Sequence, residues 1–560
     1  MKTRFKFLVF ASCILIAAPA MRADEVSDLK AQLQALQQQF QALQQQLQKM
    51  AVAIERQQTV PPAADAPAVA NTVSPHPDKP MIADRATHGI FERKPVDGFT
   101  FYTPGGESGG GEITAYSNLD MSTEVVTKGI SKLVGPDGSG PIGKVGWQPD
   151  ISTNISYIGV RGFQSLGTLP FNFVYQLETG ISLSSISGAP ETNSSESNNV
   201  NGFTSRDSYI GLASERWGAI KVGKTFAPYK KSTARLNPFS GEIGDYQVIM
   251  GNTGGDNRVE FGTLLDHSIW YESPHWHGFD LNVLFSPGQN RSNVSDNLAG
   301  GEADCTGGNI PGSGGIVPVS CSDGAFSDAV STSLSYTKGG FYAVAAYERH
   351  EKVNRSSDIT GLYGSGNAYS QTLEAQDVAD EDAGKAGLQY LFRSRTSIGG
   401  IYESMHRYVP ADLMFQNERQ RHGSWFVISQ GLTRKTSLHM GWAHAFRTPG
   451  DPGQHNDSLI TPPGGVPGVD ATAGTGANNQ ANLLTSALKY KLSENLSIYT
   501  AWAVTANGPA AHYDLGAGGR TITTDCHDAS DATGGLIASN PHCWAGGRLQ
   551  GLSLGLVWKF

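Results

Sequence analysis

From Glu112 to Phe560 apolar and polar residues alternate in short runs. After the N-terminus no run approaches the roughly 20 apolar residues that a membrane-spanning helix needs. The alternating runs begin near Glu112, Ile151, Leu169, Arg206, Trp217, Ser268, Phe279, Ala329, Phe341, Ala386, Thr396, Ser424, Thr436, Leu483, Leu496 and Leu549, sixteen in all. A period of two puts alternate side chains on opposite faces of a strand. The connections also alternate in kind. SERWG (214–218), TKGG (337–340) and LSEN (492–495) are tight, whereas 287–327, 350–382, 448–480 and 507–545 are long and polar. Short turns on one rim and long loops on the other are the mark of a barrel that crosses a membrane, apolar outside and polar inside. A soluble sandwich or propeller has no reason to sort its loops in this way. The sequence therefore predicts an all-β, transmembrane antiparallel β-barrel of about 16 strands over residues 112–560. In the last run, GLSLGLVWKF, Leu552, Leu554, Leu556, Trp558 and Phe560 share one face, and Ser553, Gly555, Val557 and Lys559 share the other. The first face suits lipid, with its two aromatics at the membrane interface.

Three segments precede the barrel. Residues 1–23 read as a cleaved secretory signal: Lys2, Arg4 and Lys6 are followed by the apolar stretch Phe7–Ala18 and small residues at Ala18, Ala20 and Ala23. Residues 24–56 carry an unbroken apolar spacing of three and four through Val26, Leu29, Leu33, Leu36, Phe40, Leu43, Leu47, Met50 and Ile54. That predicts a short α-helical coiled coil, placed in the periplasm once the chain is exported. A helix lying on a membrane would want Lys and Arg on its polar face, and this one is rich in Gln. Residues 57–111 turn to Pro and Ala and end in the glycine run PGGESGGG (104–111), a linker by composition. The glycine run has no Lys-Ser/Thr ending and leads into a strand, which argues against a phosphate loop.

Composition bounds partners and chemistry. Hydrophobic residues are 39% of the chain, too few for a helical membrane protein, and the 67 glycines fit a chain of strands and loops. Removal of 1–23 takes four of 42 basic residues and leaves 38 against 51 acidic ones, so nucleic acid is not an expected partner. Cys13 leaves with the signal. The other four cysteines fall in two near pairs, Cys305 with Cys321 and Cys526 with Cys543, each enclosing a polar stretch. Loop-closing disulfides are the natural reading in an oxidising compartment, although four cysteines allow three connectivities. His527 and His542 beside the second pair bring zinc in as a competitor, but the spacing matches no tight ligand motif. No metal or cofactor is expected.

Several segments together resemble the Gram-negative trimeric porin family. They are ITAYSNLDMSTEVV (113–126), SYIGVRG (156–162), FNFVYQLETG (171–180), RDSYIGLASERWGAIKVGKTFAPY (206–229), SIWYESPHWHGFDLNVLFS (268–286) and the C-terminal Phe. The resemblance covers about 450 residues; the coiled-coil prefix is not general to the family and is similar to the arrangement in phosphate-selective porins and some others. It implies a general diffusion porin: a homotrimer in the Gram-negative outer membrane, contacting lipid and lipopolysaccharide and passing ions and small hydrophilic solutes through water-filled channels. It also implies that the third loop, here about Phe226 to Glu260, folds inward so that loop acids face wall bases across a narrow gap. The loop acids would be Glu242, Asp245, Asp256 and Glu260; the bases Arg161, Arg206, Lys221 and Lys224, with Arg258 at the loop exit. Lys224, Lys230, Lys231 and Arg235 would alternatively form a basic vestibule for anions. Two departures stand out. Tyr157 occupies a place where the family often has Arg, two positions ahead of the strand's first glycine, and NPFSGEIGD (237–245) matches the family's loop tip only loosely.

Other functions fit the residues less well. His439 and His444 lie on opposite faces of one strand, and His275 and His277 flank Trp276 near a turn, none beside a nucleophile motif, so no catalytic residue is expected. A phosphate channel would show a ladder of arginines on its wall and a sugar channel an aromatic slide; periodicity alone reveals neither. The coiled coil and its spacer would serve either to lock a trimer or to tether the barrel to the cell wall.

Overall fold

The computed structural model describes residues 91–94, 98–106, 109–127, 132–134, 141–144, 146–184, 206–251, 261–287, 326–354, 377–408, 420–447, 480–508, 511, 513–516 and 548–560. The stretches expected to be a signal and a coiled coil and all four cysteines of the expected pairs, Cys305, Cys321, Cys526 and Cys543, lie outside these residues, as do Asp256, Arg258 and Glu260.

The described strands are β1 (Phe91–Lys94), β2 (Gly98–Gly106), β3 (Gly109–Thr127), β4 (Lys132–Val134), β5 (Pro141–Lys144), β6 (Gln148–Thr153) and β7 (Tyr157–Ser165). Next come β8 (Asn172–Gly180), β9 (Ser208–Ser214), β10 (Gly218–Phe226), β11 (Leu264–Glu272), β12 (Phe279–Pro287), β13 (Asp328–Lys338) and β14 (Phe341–Asn354). The chain closes with β15 (Asp377–Leu391), β16 (Thr396–Arg407), β17 (Gln420–Gly431), β18 (Thr436–Ala445), β19 (Ala481–Lys491), β20 (Leu496–Asn507) and β21 (Arg548–Lys559). From β7 to β21 each strand pairs antiparallel with the next, and β3 pairs with both β7 and β21. With β6 continuing the line of β7 along β3, this closes a sixteen-strand antiparallel barrel. Each of the sixteen runs read from the sequence supplies one wall strand. Among the described residues no helix is long and apolar enough to cross a membrane; the strands do the crossing.

The boundary drawn at Glu112 needs correcting. β3 begins at Gly109, and the end of the stretch read as linker forms β1 and β2. β2 pairs with the first half of β3, and β21 pairs with the second half on the same edge, in the same direction. The two chain segments thus line up end to end. Phe560 and Ser117 exchange N–H···O bonds of 3.2 and 2.9 Å where they meet, and the Phe99 ring lies 5.5 Å from that of Phe560. A glycine-rich composition hides such a strand, because glycine weakens the alternation on which the reading depends.

The wall obeys the alternation. On β21, Leu552, Leu554 and Leu556 are 53, 60 and 48% exposed while Ser553 between them is 1% exposed. Ile210, Ile220, Phe426, Trp442 and Leu484 continue the exposed apolar band on other strands. The inward set is polar: Asp120, Ser122, Glu178, Ser331, Glu348, Lys385 and Glu403 are all buried. Leu554→Arg therefore places a charge in lipid and is expected to destabilise the barrel by about 2–4 kcal/mol. Urea unfolding from lipid vesicles, with Leu554→Ile as the neutral control, checks this; equal midpoints for both variants would mean that the face does not meet lipid.

Candidate functional site in the barrel lumen

The loop between β10 and β11 turns into the barrel. It opens with a short helix, α1 (Pro228–Ser232), whose Pro at the first helical position needs no N–H partner. Two 3-10 turns follow, Ala234–Leu236 and Tyr246–Val248. Its apolar residues Leu236, Phe239, Ile243, Tyr246, Val248, Ile249 and Met250 are buried against inward residues of β14 and β16–β21, including Val344, Ile401, Trp425, Leu483 and Tyr499. A second buried apolar cluster takes the two ends of the loop, Ala227, Tyr229 and Phe261, against Leu265, Trp270, Leu284, Ala346 and Met405, so two apolar clusters among the described residues seat the loop.

Polar groups fix the seat. The Trp425 indole N–H donates to the Leu236 carbonyl at 2.9 Å, and its ring stacks on Tyr246 with centroids 5.1 Å apart. Glu403 on β16 holds both ends of the inward stretch: Oε2 accepts from the Tyr229 hydroxyl at 2.6 Å and Oε1 from the Gly251 N–H at 2.8 Å. Glu348 on β14 accepts the Gly262 N–H at 2.8 Å, and the Tyr342 hydroxyl donates to the Ser232 carbonyl at 2.6 Å. At the tip, Gly244 has φ +83°, and a Cβ there would run into the Thr485 side chain. Its N–H donates to the Leu515 carbonyl at 2.6 Å and its carbonyl accepts from the Thr485 hydroxyl at 2.9 Å. The tip is therefore clamped between the wall and a segment of the loop that follows β20.

The residues singled out by sequence separate into two groups. Glu242 and Asp245 do not face the wall bases across a gap. Glu242 is buried against β19, where it pairs with Lys489, whose ammonium also donates to the Pro238 carbonyl at 2.6 Å. Asp245 is buried within the loop and accepts from Asn237 Nδ2 at 2.8 Å and from the Gly241 and Gln247 N–H groups at 3.0 Å each. The reason is backbone accounting: a tight loop away from water leaves N–H groups that need an acceptor, and a carboxylate supplies two. Burial pushes the Asp245 carboxyl up to about 6, with the hydrogen bonds pulling the other way. Burial likewise raises Glu242, against the pull of Lys489.

The bases remain on the opposite side. Arg161 on β7 lies over the Tyr116 ring, 4.7 Å from its centroid. Arg206 donates to Glu178 Oε1 at 2.7 Å, and Lys221 reaches Glu272 at 2.6 Å. Lys224 ends half-buried near the top of β10. Of the expected vestibule, Lys231 donates to the Thr225 hydroxyl at 2.7 Å, and Arg235 donates to Gln389 Oε1 at 3.0 Å with its guanidinium 4.2 Å from the Tyr342 centroid. The groups that seat the loop, Trp425, Glu403, Glu348 and Lys489, escaped the sequence reading. They are ordinary inward positions of late strands, and the only signal available was a bulky or charged residue on the polar face.

A closed sixteen-strand barrel with long loops on one rim and one loop seated in its lumen defines an outer-membrane channel architecture. The family model described as Gram-negative porin matches residues 143–509, and the chain belongs to that family, whose members lie in the Gram-negative outer membrane. A major outer membrane protein P.IA of Neisseria meningitidis serogroup C is 28% identical over 217 residues, 38% of this chain and 47% of that protein. An outer membrane porin protein of Bordetella pertussis is 29% identical over 133 residues, 24% of this chain and 31% of that protein. The chain thus spans about half, or less, of the length of these relatives. Among solved structures, an anion-selective porin from Comamonas acidovorans has the same fold, with a TM-score of 0.50 at 14% identity over 80% of this chain and all of that one.

Proposed function

We propose that the protein is a passive outer-membrane channel, not an enzyme, which lets ions and small hydrophilic solutes diffuse through a lumen narrowed by the loop between β10 and β11. The observation that carries this reading is the seating of that loop inside the barrel by Trp425, Glu403 and Glu348. A loop held at both ends and at its tip leaves a fixed opening beside it, and a fixed, polar-lined opening conducts without a moving gate. The body of the loop is seated mainly on β14 and β16–β21 and its ends on β11–β16, so the solute path we propose runs beside β7 and the start of β9. The assembly we propose is a homotrimer, with the exposed apolar band outside it meeting lipid and lipopolysaccharide.

Purified mature protein in a planar bilayer is expected to give stepwise currents, and chemical cross-linking is expected to stop at trimers that heat dissociates. A folded, heat-modifiable oligomer that gives no current steps would overturn the channel reading.

A further inference from the structure

The wall around β3, β7 and the start of β9, together with the first turn of the inward loop, carries a continuous run of cations and aromatic rings. Arg161 on β7 lies 4.7 Å from the centroid of Tyr116 on β3. Tyr116 meets Tyr157 edge to face at 6.2 Å. Arg206, just ahead of β9, lies 4.9 Å from the Tyr157 centroid and 5.3 Å from that of Phe226. Lys230 on α1 completes the run, 4.2 Å from the Phe226 centroid. These distances are those at which a cation is held by a ring face.

The run faces the lumen. Ile158 and Val160 are exposed on the outer face of β7, so Tyr157 and Arg161 point inward, and both remain half-exposed there. The inward position between them is Gly159, opposite Tyr116 in the strand register. A Cβ at Gly159 would meet the Tyr116 ring at 2.7 Å, so the glycine is what lets that ring lie across the wall between the two rungs of β7. Tyr157 is also the residue at which this chain departs from the arginine often found in the family. The departure places an aromatic ring between two guanidinium groups.

The nearby acids are engaged. Glu178 accepts from Arg206 on Oε1 at 2.7 Å and from the Tyr116 hydroxyl on Oε2 at 2.8 Å. Asp207 accepts the Phe226 N–H at 3.0 Å and lies 3.7 Å from Lys231. Asp120 and Glu124 on β3 are buried among Asn154, Tyr499 and serine hydroxyls. Arg161 makes no ion pair among the described residues, and its Nε is buried with no hydrogen-bond partner there. Arg206 and Lys231 are thus matched by Glu178 and Asp207, and the cation this wall offers to a passing solute is above all Arg161.

We infer that this run is a track for anions with a planar apolar part, aromatic carboxylates above all, the carboxylate passing between Arg161, Arg206 and Lys230 while the ring slides against Tyr157 and Phe226. A guanidinium recognises a carboxylate through two parallel N–H groups, and an aromatic neighbour adds stacking that a bare anion cannot use. The inference rests on the channel reading and names its substrate class.

The test uses the full mature protein in planar bilayers. In a potassium chloride gradient the reversal potential is expected to show anion preference. Benzoate is then expected to half-block the chloride current at about a tenth of the acetate concentration, the factor expected of one added ring contact. Benzyl alcohol, which has the ring without the charge, is expected to block weakly. Tyr157→Leu should remove the advantage of benzoate over acetate with little change in reversal potential, and Arg161→Gln should reduce the anion preference itself. A cation-type reversal potential, or equal block by benzoate and acetate, overturns the inference while leaving the channel standing. If no current appears at all, calorimetric titration of the detergent-folded protein decides: tighter binding of benzoate than of acetate keeps the track without the channel, and equal or absent binding removes both.

Discussion

Trp425→Ala is expected to release the inward loop and widen the channel, so that liposomes carrying the variant swell in sugars that the wild type excludes. The ring is buried on the inner face of β17, stacked on Tyr246 and set edge-on to Phe239 at 5.9 Å, with its N–H on the Leu236 carbonyl. Gly441 on the neighbouring strand makes room for it, since a Cβ there would collide with the ring. Truncating a buried Trp costs about 3–5 kcal/mol. Here that loss falls on the docking of the loop, because the hydrogen bonds of β17 to β16 and β18 are made by backbone. The barrel should therefore keep its heat-modifiable migration while its size cut-off rises. An unchanged cut-off would show that the tip contacts to Thr485 and Leu515 hold the loop without Trp425.

Glu403→Leu should give a different phenotype, a noisy current through an opening of nearly normal size. Removing the carboxylate leaves the Tyr229 hydroxyl and the Gly251 N–H without their acceptor, so both ends of the inward stretch loosen while the tip remains clamped. It also leaves Lys385, directly opposite Glu403 in the β15–β16 register and buried over the Tyr229 ring at 4.0 Å, without its facing carboxylate. Stranding a buried charge costs about 3–5 kcal/mol, and Glu348, which also lies near Lys385, offsets part of that here. Glu403→Leu combined with Lys385→Met should then recover much of the stability, and urea unfolding of the two single variants and the double variant measures the coupling. Quiet, wild-type current from Glu403→Leu would mean that the loop ends are held elsewhere.

The two variants separate what the loop does from what the wall does. The apolar seat determines how wide the opening is, and the carboxylates of β14 and β16 determine how steady it is. Tyr157 and Arg161 on β7 touch neither, so variants of these two should change which solutes pass without changing size cut-off or noise.

The sixteen wall strands, the segregation of short turns from long loops and the lipid-facing side of the last strand were legible in the sequence. Each rests on local periodicity: a strand that is wet on one face and dry on the other must alternate, as Leu552 to Trp558 do. β2 was not legible, because its glycine-flanked sequence has little alternation and its place is set by the end of β21 and the edge of β3. The site was legible only as a set of residues. Glu242, Asp245, Arg161 and Arg206 could be marked as charges of the loop and the wall, but their pairing could not be derived from spacing. Glu242 met Lys489, which lies 247 residues away, and Asp245 turned back on its own loop to satisfy backbone N–H groups. Tyr157 could be seen to depart from the family, and its meaning came only with Arg206 and Tyr116 brought to it by two other segments. Alternation is a property of neighbours in the chain, and so the sequence alone determined a barrel and its two faces. Which charge faces which across a lumen depends on strand register and on where an inward loop finds its apolar seat, and only the tertiary structure decides that.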